Sequence, residues 1–192
     1  MSSASSPVRR PRADAARNRA AILDAAREAM RSGGEDPSLE AIARTAGVGI
    51  GTLYRNFPTR EDLVAAVYSS ELDAVLATME DLLAARPADV ALREFMRNYS
   101  GFIATKRGMA ESVRAGALRS AAAAADTRRR VNEVVGACLA AGAEQGVLSP
   151  GLQADDVTAA MIGVFLTTAQ SADPGQAERL LDVLVRGLRA GA

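Results

Sequence analysis

The stretch from Ser38 to Pro58, reading SLEAIARTAGVGIGTLYRNFP, constrains the fold of this chain more than any other. Leu39, Ile42, Ala43 and Ala46 recur at helical spacing and define one face of an α-helix. Ser38 suits the N-cap of that helix, and Glu40 falls in its first turn, where the macrodipole favours a negative charge. Gly47 follows as a C′ residue, where a left-handed backbone costs glycine little, and Val48 offers an apolar plug for the turn. A second short helix is expected from about Gly49 to Asn56, with Leu53 and Phe57 turned inward. Helix, tight glycine turn and second helix together predict a helix-turn-helix. The outward face then carries Ile50, Gly51, Thr52, Tyr54, Arg55 and Asn56. It offers hydroxyls, a guanidinium and an amide, and no acid, which suits phosphates and base edges. An αα-corner with no role at nucleic acid would share the helical pattern, so the pattern alone leaves both readings open.

Gly47, Gly49 and Gly51 do not make a nucleotide-binding loop. A dinucleotide fingerprint needs a strand before its glycines and a G-x-G-x-x-G spacing, whereas here a helix precedes them and Leu53-Tyr54 follow.

Elsewhere apolar residues recur at helical spacing between Gly and Pro breaks, and no alternating strand pattern appears, so an all-α fold is expected. With 48% apolar residues in 192, the chain can bury a sizeable core. Histidine is absent and Cys138 is the only cysteine. That composition removes His-based acid–base catalysis, Cys/His zinc sites and any intrachain disulfide. No cofactor loop, nucleophile–base pair or metal-spaced carboxylate cluster is visible, so the reading is not an enzyme, with no cofactor and no metal. No apolar run is long enough to span a bilayer and no signal-peptide core appears, so a cytoplasmic location is expected. The formal net charge is zero but divided: residues 1–60 carry ten Arg against six acids, and residues 61–192 carry 13 basic against 17 acidic residues. A basic head on an acidic body fits a DNA-reading head, although a split of four charges is also within chance.

Taken in order, residues 1–13 form a Ser-, Pro- and Arg-rich arm with no apolar periodicity, for which disorder is the default. Arg9, Arg10 and Arg12 could reach a groove or simply solubilise the chain. A first helix is expected over 15–31, with Asp14 as its cap and Ile22, Leu23, Ala26 and Met30 inside. Thr59-Arg60-Glu61-Asp62 opens a long helix with a capping-box pattern, and its apolar stripe persists to about Ala85. Further helices are expected over 88–105, 109–119, 121–145, 154–171 and 176–189, about nine in all. The head is thus 14–60, and the body is 61–192.

The words AGVGIGTLYRNFPTREDLV closely resemble the tetracycline-repressor (TetR) family of bacterial regulators. Many members read A-G-V-S-x-G-T-L-Y-x-H-F there, followed by Pro, Ser or Thr, Lys or Arg, Glu, any residue and Leu. The match covers about the first third of the chain. Gly49 stands where the family usually has a capping Ser, and Asn56 stands where His is usual; an amide can still donate to a phosphate. The resemblance implies a helix-turn-helix head and an effector-binding, dimerising helical body. It implies DNA contacts from Arg17, Ser38, Ile50, Gly51, Thr52, Tyr54, Arg55, Asn56 and Arg60. Thr52, Tyr54, Arg60 and Arg17 would hold phosphates, while Arg55 and Ile50 would face base edges.

The resemblance also implies partners: a double-stranded, pseudo-palindromic operator, a small and largely apolar effector, and a second copy of the chain. Phe95, Met96, Tyr99, Phe102, Met109, Val113, Cys138, Met161 and Phe165 gather most of the body's aromatics and sulfurs and could line a pocket. Tyr99 and Arg114 would be its polar anchors; a plain bundle core is the alternative. Val164, Leu180, Leu181, Leu184, Val185 and Leu188 supply a wide apolar arc for a four-helix dimer interface, or are partly buried within one chain. The expected function is a ligand-responsive DNA-binding transcriptional regulator, a repressor released by its effector through movement of the long helix. The competing readings are a helical enzyme or carrier with an incidental helix-turn-helix, and an interaction protein that has lost DNA binding.

Overall fold

The computed structural model describes residues 11–31, 37–108 and 121–191. Eight α-helices occupy most of these residues, and the one β-bridge among them, Leu148 with Arg189, is isolated. The described residues divide into two compact units, one of residues 11–67 and the other of residues 68–107 and 121–191.

In the first unit, α1 (Pro11–Arg31), α2 (Leu39–Thr45) and α3 (Ile50–Asn56) enclose a small core, joined by the start of α4 (Arg60–Ala85). Ile22 and Ala26 of α1, Ile42 and Ala43 of α2, and Leu53 and Phe57 at α3 are buried, as are Leu63, Val64 and Val67. These are the helical-period positions of the sequence, and burial of their apolar area drives the packing. One expectation fails here. α1 starts at Pro11 rather than at residue 15, so Asp14 lies inside the first turn and does not cap it. Proline suits a first helical position, where its missing N–H is not needed, and Asp14 still favours the positive end of the helix dipole. The expected arm therefore gives way to helix from Pro11 on, and its remaining residues 1–10 lie outside the described residues. The head was expected to end at residue 60, whereas the compact unit runs to Val67, two turns into α4.

The second unit is built from the rest of α4, α5 (Ala88–Gly108), α6 (Ala121–Glu144), α7 (Ala154–Thr167) and α8 (Gln176–Leu188). Leu72, Phe95, Val135, Met161 and Leu181 show that every one of these helices reaches the core. α6 ends in a Schellman-type turn: Gly146 at φ 71° directs its N–H to the Ala143 carbonyl and the Val147 N–H to that of Gly142. Leu148 then folds back against Gly142, where any Cβ would collide with it. The Ser149 N–H donates to the Leu188 carbonyl at 2.9 Å, fixing the end of α8 to this turn.

α7 stops at Thr167, short of the expected residue 171. The Thr167 and Thr168 hydroxyls donate back to the Gly163 and Val164 carbonyls, competing with continuation of the helical ladder. The helix expected over 109–119 lies outside the described residues.

Two arginine clamps fasten α8 to α5. Arg93 donates to Asp182 and Glu178, both at 2.6 Å. Arg189, just beyond α8, pairs with the mostly buried Asp89 at 2.8 Å. The Arg93 hydrogen bond holds the Asp182 carboxyl below the usual carboxylate range.

Candidate nucleic-acid interface

The loop of the helix-turn-helix is set by hydrogen bonds its own sequence supplies. Ser38 is in extended conformation, and its hydroxyl accepts the Ala41 N–H at 3.1 Å, a cap that contributes about 1 kcal/mol. Gly47 adopts φ 67°. Its N–H reaches the Arg44 carbonyl at 3.1 Å, and the Val48 N–H reaches that of Ala43 at 3.0 Å, a second Schellman-type ending. Val48 is half-buried, consistent with a plug. α3 opens at Gly49 with no side-chain cap.

Leu53 and Phe57 are at 0% and 1% exposure, while Ile50 and Tyr54 stand at 39% and 45%. Gly51 and Arg55 are exposed beside them, and Thr52 and Asn56 are half-buried. Gly51 has open space where a Cβ would project, so its presence is not required by packing. The expected outward side of α3 is therefore the outward side found.

The polar groups on this side already interact. Arg55 donates to the Thr52 hydroxyl at 3.0 Å, which orients the guanidinium along the helix. Asn56 donates its amide to the Thr52 carbonyl at 2.8 Å, so part of its donor capacity serves the last turn of α3. Arg60 is half-buried and donates to the Pro37 carbonyl at 2.7 Å, tying the start of α4 to the approach to α2. Arg60 thus has a structural task besides any contact with phosphate. The opening of α4 is the expected capping box: the Thr59 N–H donates to Asp62 and the Asp62 N–H to the Thr59 hydroxyl, both at 3.1 Å. Arg17 is exposed on α1 and paired with Asp14 within its own helix. Ser38 is exposed, but its hydroxyl is engaged as the cap.

Two features escaped the sequence reading. Arg19 lies 4.5 Å over the Phe57 ring, joining α1 to the end of α3 by a cation–π contact. Nothing in the local sequence marks this pair, which the tertiary fold brings together. Arg44 is exposed in the last turn of α2, and no ion pair of its guanidinium occurs among the described residues. Its position two residues after the buried Ile42, on the opposite side of the helix, was a usable signal.

In the second unit, Phe95, Met96, Tyr99, Phe102, Cys138, Met161 and Phe165 are all buried. Their rings pack against one another. Tyr99 lies 5.2 Å from Phe102 and 6.3 Å from Phe165, and Phe102 lies 5.1 Å from Tyr68. Burial pushes the Tyr99 hydroxyl well above its ordinary pKa and the Cys138 thiol up to about 11, so both are neutral at pH 7. Met109, Val113 and Arg114 lie outside the described residues.

Grooves occur elsewhere in the unit. One of about 420 Å³ lies between α5 and α8, among the Arg93 and Asp89 ion pairs. One of about 520 Å³ lies between α4 and α6. One of about 340 Å³ lies where residues 151–153 meet α7 and α8.

The residues expected at a dimer interface divide. Leu181, Val185 and Leu188 are buried within the chain, so that part of the expectation is corrected: α8 is apolar on two sides, and this side faces its own core. Leu180 is 37% exposed, and Val164 and Leu184 are half-buried. Two apolar residues outside the expected set are more exposed still, Leu166 at 67% and Val183 at 64%.

Comparison with known proteins bears on both units. The family model described as "Bacterial regulatory proteins, tetR family" matches residues 22–67, and that described as "Transcriptional regulator SbtR-like, C-terminal domain" matches residues 87–190. The TetR transcriptional regulator SCO0520 from Streptomyces coelicolor is 39% identical, with a TM-score of 0.78, over 91% of this chain and 99% of that one. A TetR transcription regulatory protein from Mycobacterium vanbaalenii is 31% identical, with a TM-score of 0.74, over 93% and 99% of the two chains. The HTH-type transcriptional regulator SAR0097 of Staphylococcus aureus (strain MRSA252) is 37% identical over 79 residues, which are 40% of this chain and 41% of that protein. This chain therefore spans less than half the length of that last relative. With a glycine-turned helix-turn-helix in the first unit and a matching helical second unit, the chain belongs to the TetR family of transcriptional regulators.

Proposed function

We propose that the protein is a repressor that binds a pseudo-palindromic operator as a homodimer and is released by a small, largely apolar effector. One observation carries the reading most of the way: α3 buries Leu53 and Phe57 and leaves Ile50, Gly51, Tyr54 and Arg55 in solvent, with no acid among them. A guanidinium, and an apolar side chain able to meet a thymine methyl, on one short helix suit a major groove, and half-buried Thr52 with Tyr54 suits the flanking phosphates. Arg17, Arg44 and Arg60 add positive charge on neighbouring elements of the same unit.

Dimerisation is supported by the exposed apolar stripes on α7 and α8, carrying Leu166, Leu180, Val183 and half-buried Leu184. Two helices from each of two chains can close such a face in a four-helix contact. The chain acts by binding rather than by catalysis, and it works where DNA is, in the cytoplasm. Among the described residues, no helix is long and apolar enough to cross a membrane.

The experiment is a gel shift on DNA upstream of the protein's own gene, with light scattering on the free protein. A sharp, competitor-resistant shift by a dimer is expected. A monomer at micromolar concentration that shifts random DNA equally well would overturn the reading.

A further inference from the structure

Apart from the buried aromatic cluster, the described residues of the second unit form an open groove between α4 and α6. Leu76, Met79 and Leu83 of α4 face Val134 and Ala137 of α6, around a space of about 520 Å³. That volume lies within the range of small-molecule sites, and its walls are mainly apolar with few polar groups. The charges at its rim are not equivalent. Arg130 is engaged by Asp73, and Glu133 is paired with Arg129 at 2.5 Å. Glu80 is exposed at the same rim with no ion pair or hydrogen bond of its carboxylate among the described residues.

We propose that this groove binds an apolar molecule carrying one cationic head, with Glu80 as its counter-ion. This rests on the reading of the second unit as the effector-binding one, and it moves the seat from the aromatic cluster to the α4–α6 surface. An aliphatic or aromatic body covers the Leu76, Met79, Leu83 and Val134 walls and removes their area from water. A cation at the edge of that apolar wall meets Glu80, and the rim as a whole is acidic, since Arg129 is shared between Glu133 and Asp126. An anion meets the same carboxylate with the opposite sign, and a neutral head gains nothing from it. The other two grooves fit this chemistry less well. That between α5 and α8 is walled by Arg93, Asp182, Asp89 and Arg189 in mutual pairs, which an apolar body would desolvate without replacement. That beside α7 and α8 includes Leu184, on the face proposed to meet a second copy.

The test uses the full-length protein and three probes sharing one tail: octyltrimethylammonium, octanol and octanoate, titrated by calorimetry below any micelle concentration. The cation should bind tightest, by about 2- to 5-fold over octanol, as expected of one partly exposed ion pair. Octanoate should bind weakest. Glu80→Gln should erase the preference for the cation and leave octanol affinity unchanged. Ala137→Trp should fill the groove and weaken all three probes more than tenfold, with Ala77→Trp repeating the test from the α4 side. Both alanines are exposed, so each indole has room. Unchanged affinity of octyltrimethylammonium in both tryptophan variants would overturn the assignment, as would an unchanged cation preference in Glu80→Gln. Operator affinity is measured separately with and without the cation. Binding that the tryptophan variants abolish, but that never alters operator affinity, would support the groove and count against the effector reading.

Discussion

Two short helices leave large apolar side chains in solvent, and they do so differently. On α3, Ile50 and Tyr54 are exposed, but Thr52, Arg55 and Asn56 lie among them. On α8, Leu180 and Val183 are exposed with Leu184 half-buried, and Leu166 of α7 adds to the apolar surface of the same unit. An apolar residue flanked by hydroxyls and a guanidinium matches a surface that is itself polar and charged. An unbroken apolar stripe matches only another apolar stripe. The first pattern reads as nucleic-acid contact and the second as contact with a second copy, although exposure alone would rank α8 as the stickier of the two.

The comparison can be broken most forcefully at α8. Val183→Asp places a charge in the proposed dimer contact while leaving the monomer core untouched. It should weaken the dimer by about 100-fold or more, corresponding to about 3 kcal/mol or more for a charge that the contact would bury. Sedimentation against concentration reads this directly, with far-ultraviolet circular dichroism unchanged. Leu181→Ala, two residues earlier and fully buried, should behave in the opposite way. It should cost about 2–5 kcal/mol of folding stability and affect dimerisation only through unfolding.

At α3 the expected effects are smaller and fall on DNA. Arg55→Ala should reduce discrimination between operator and random DNA by about 1–3 kcal/mol, measured by fluorescence anisotropy on both. Equal losses on the two DNAs would show that Arg55 holds phosphate instead. Gly51→Ala separates function from stability. Its Cβ would point into open space, so the helix should gain up to about 1 kcal/mol and the melting temperature should rise. Operator affinity should nevertheless fall, because the added methyl stands where the DNA must approach. If both rise together, α3 does not meet DNA at Gly51.

The smallest effect concerns the missing cap. Gly49→Ser meets no atom within 4 Å of its Cβ and would supply the hydroxyl that α3 lacks, for a gain of a few tenths of a kcal/mol in stability.

What could be read in the sequence follows from the span of the interactions. Ser38 to Ala41, Thr59 to Asp62, and Gly47 to Arg44 each join residues three apart. Such contacts are written in a few adjacent letters, which is why the helix-turn-helix was legible nearly to the residue. Arg60 reaches Pro37 across 23 positions and Arg93 reaches Asp182 across 89, and no local pattern announces either. α8 was ambiguous for a different reason: with apolar residues on two sides, periodicity cannot say which side faces its own core. The aromatic cluster shows a third limit. Residue type foretold that Phe95, Tyr99 and Phe165 are buried, but whether such side chains line a void or fill it depends on packing, which composition does not encode. The start of α1 was missed because Asp14 is a good cap by type, and Pro11 is an equally good first residue three positions earlier.

The central claim is that α3 reads DNA twice, once from each chain of a symmetric pair. Hydroxyl-radical footprinting at base resolution on DNA upstream of the gene tests it most directly. Two protected patches related by a two-fold axis are predicted, on one face of the duplex and about 34–36 Å, or a multiple of that, from centre to centre. A single patch without two-fold symmetry, or uniform protection that tracks protein concentration alone, would contradict it.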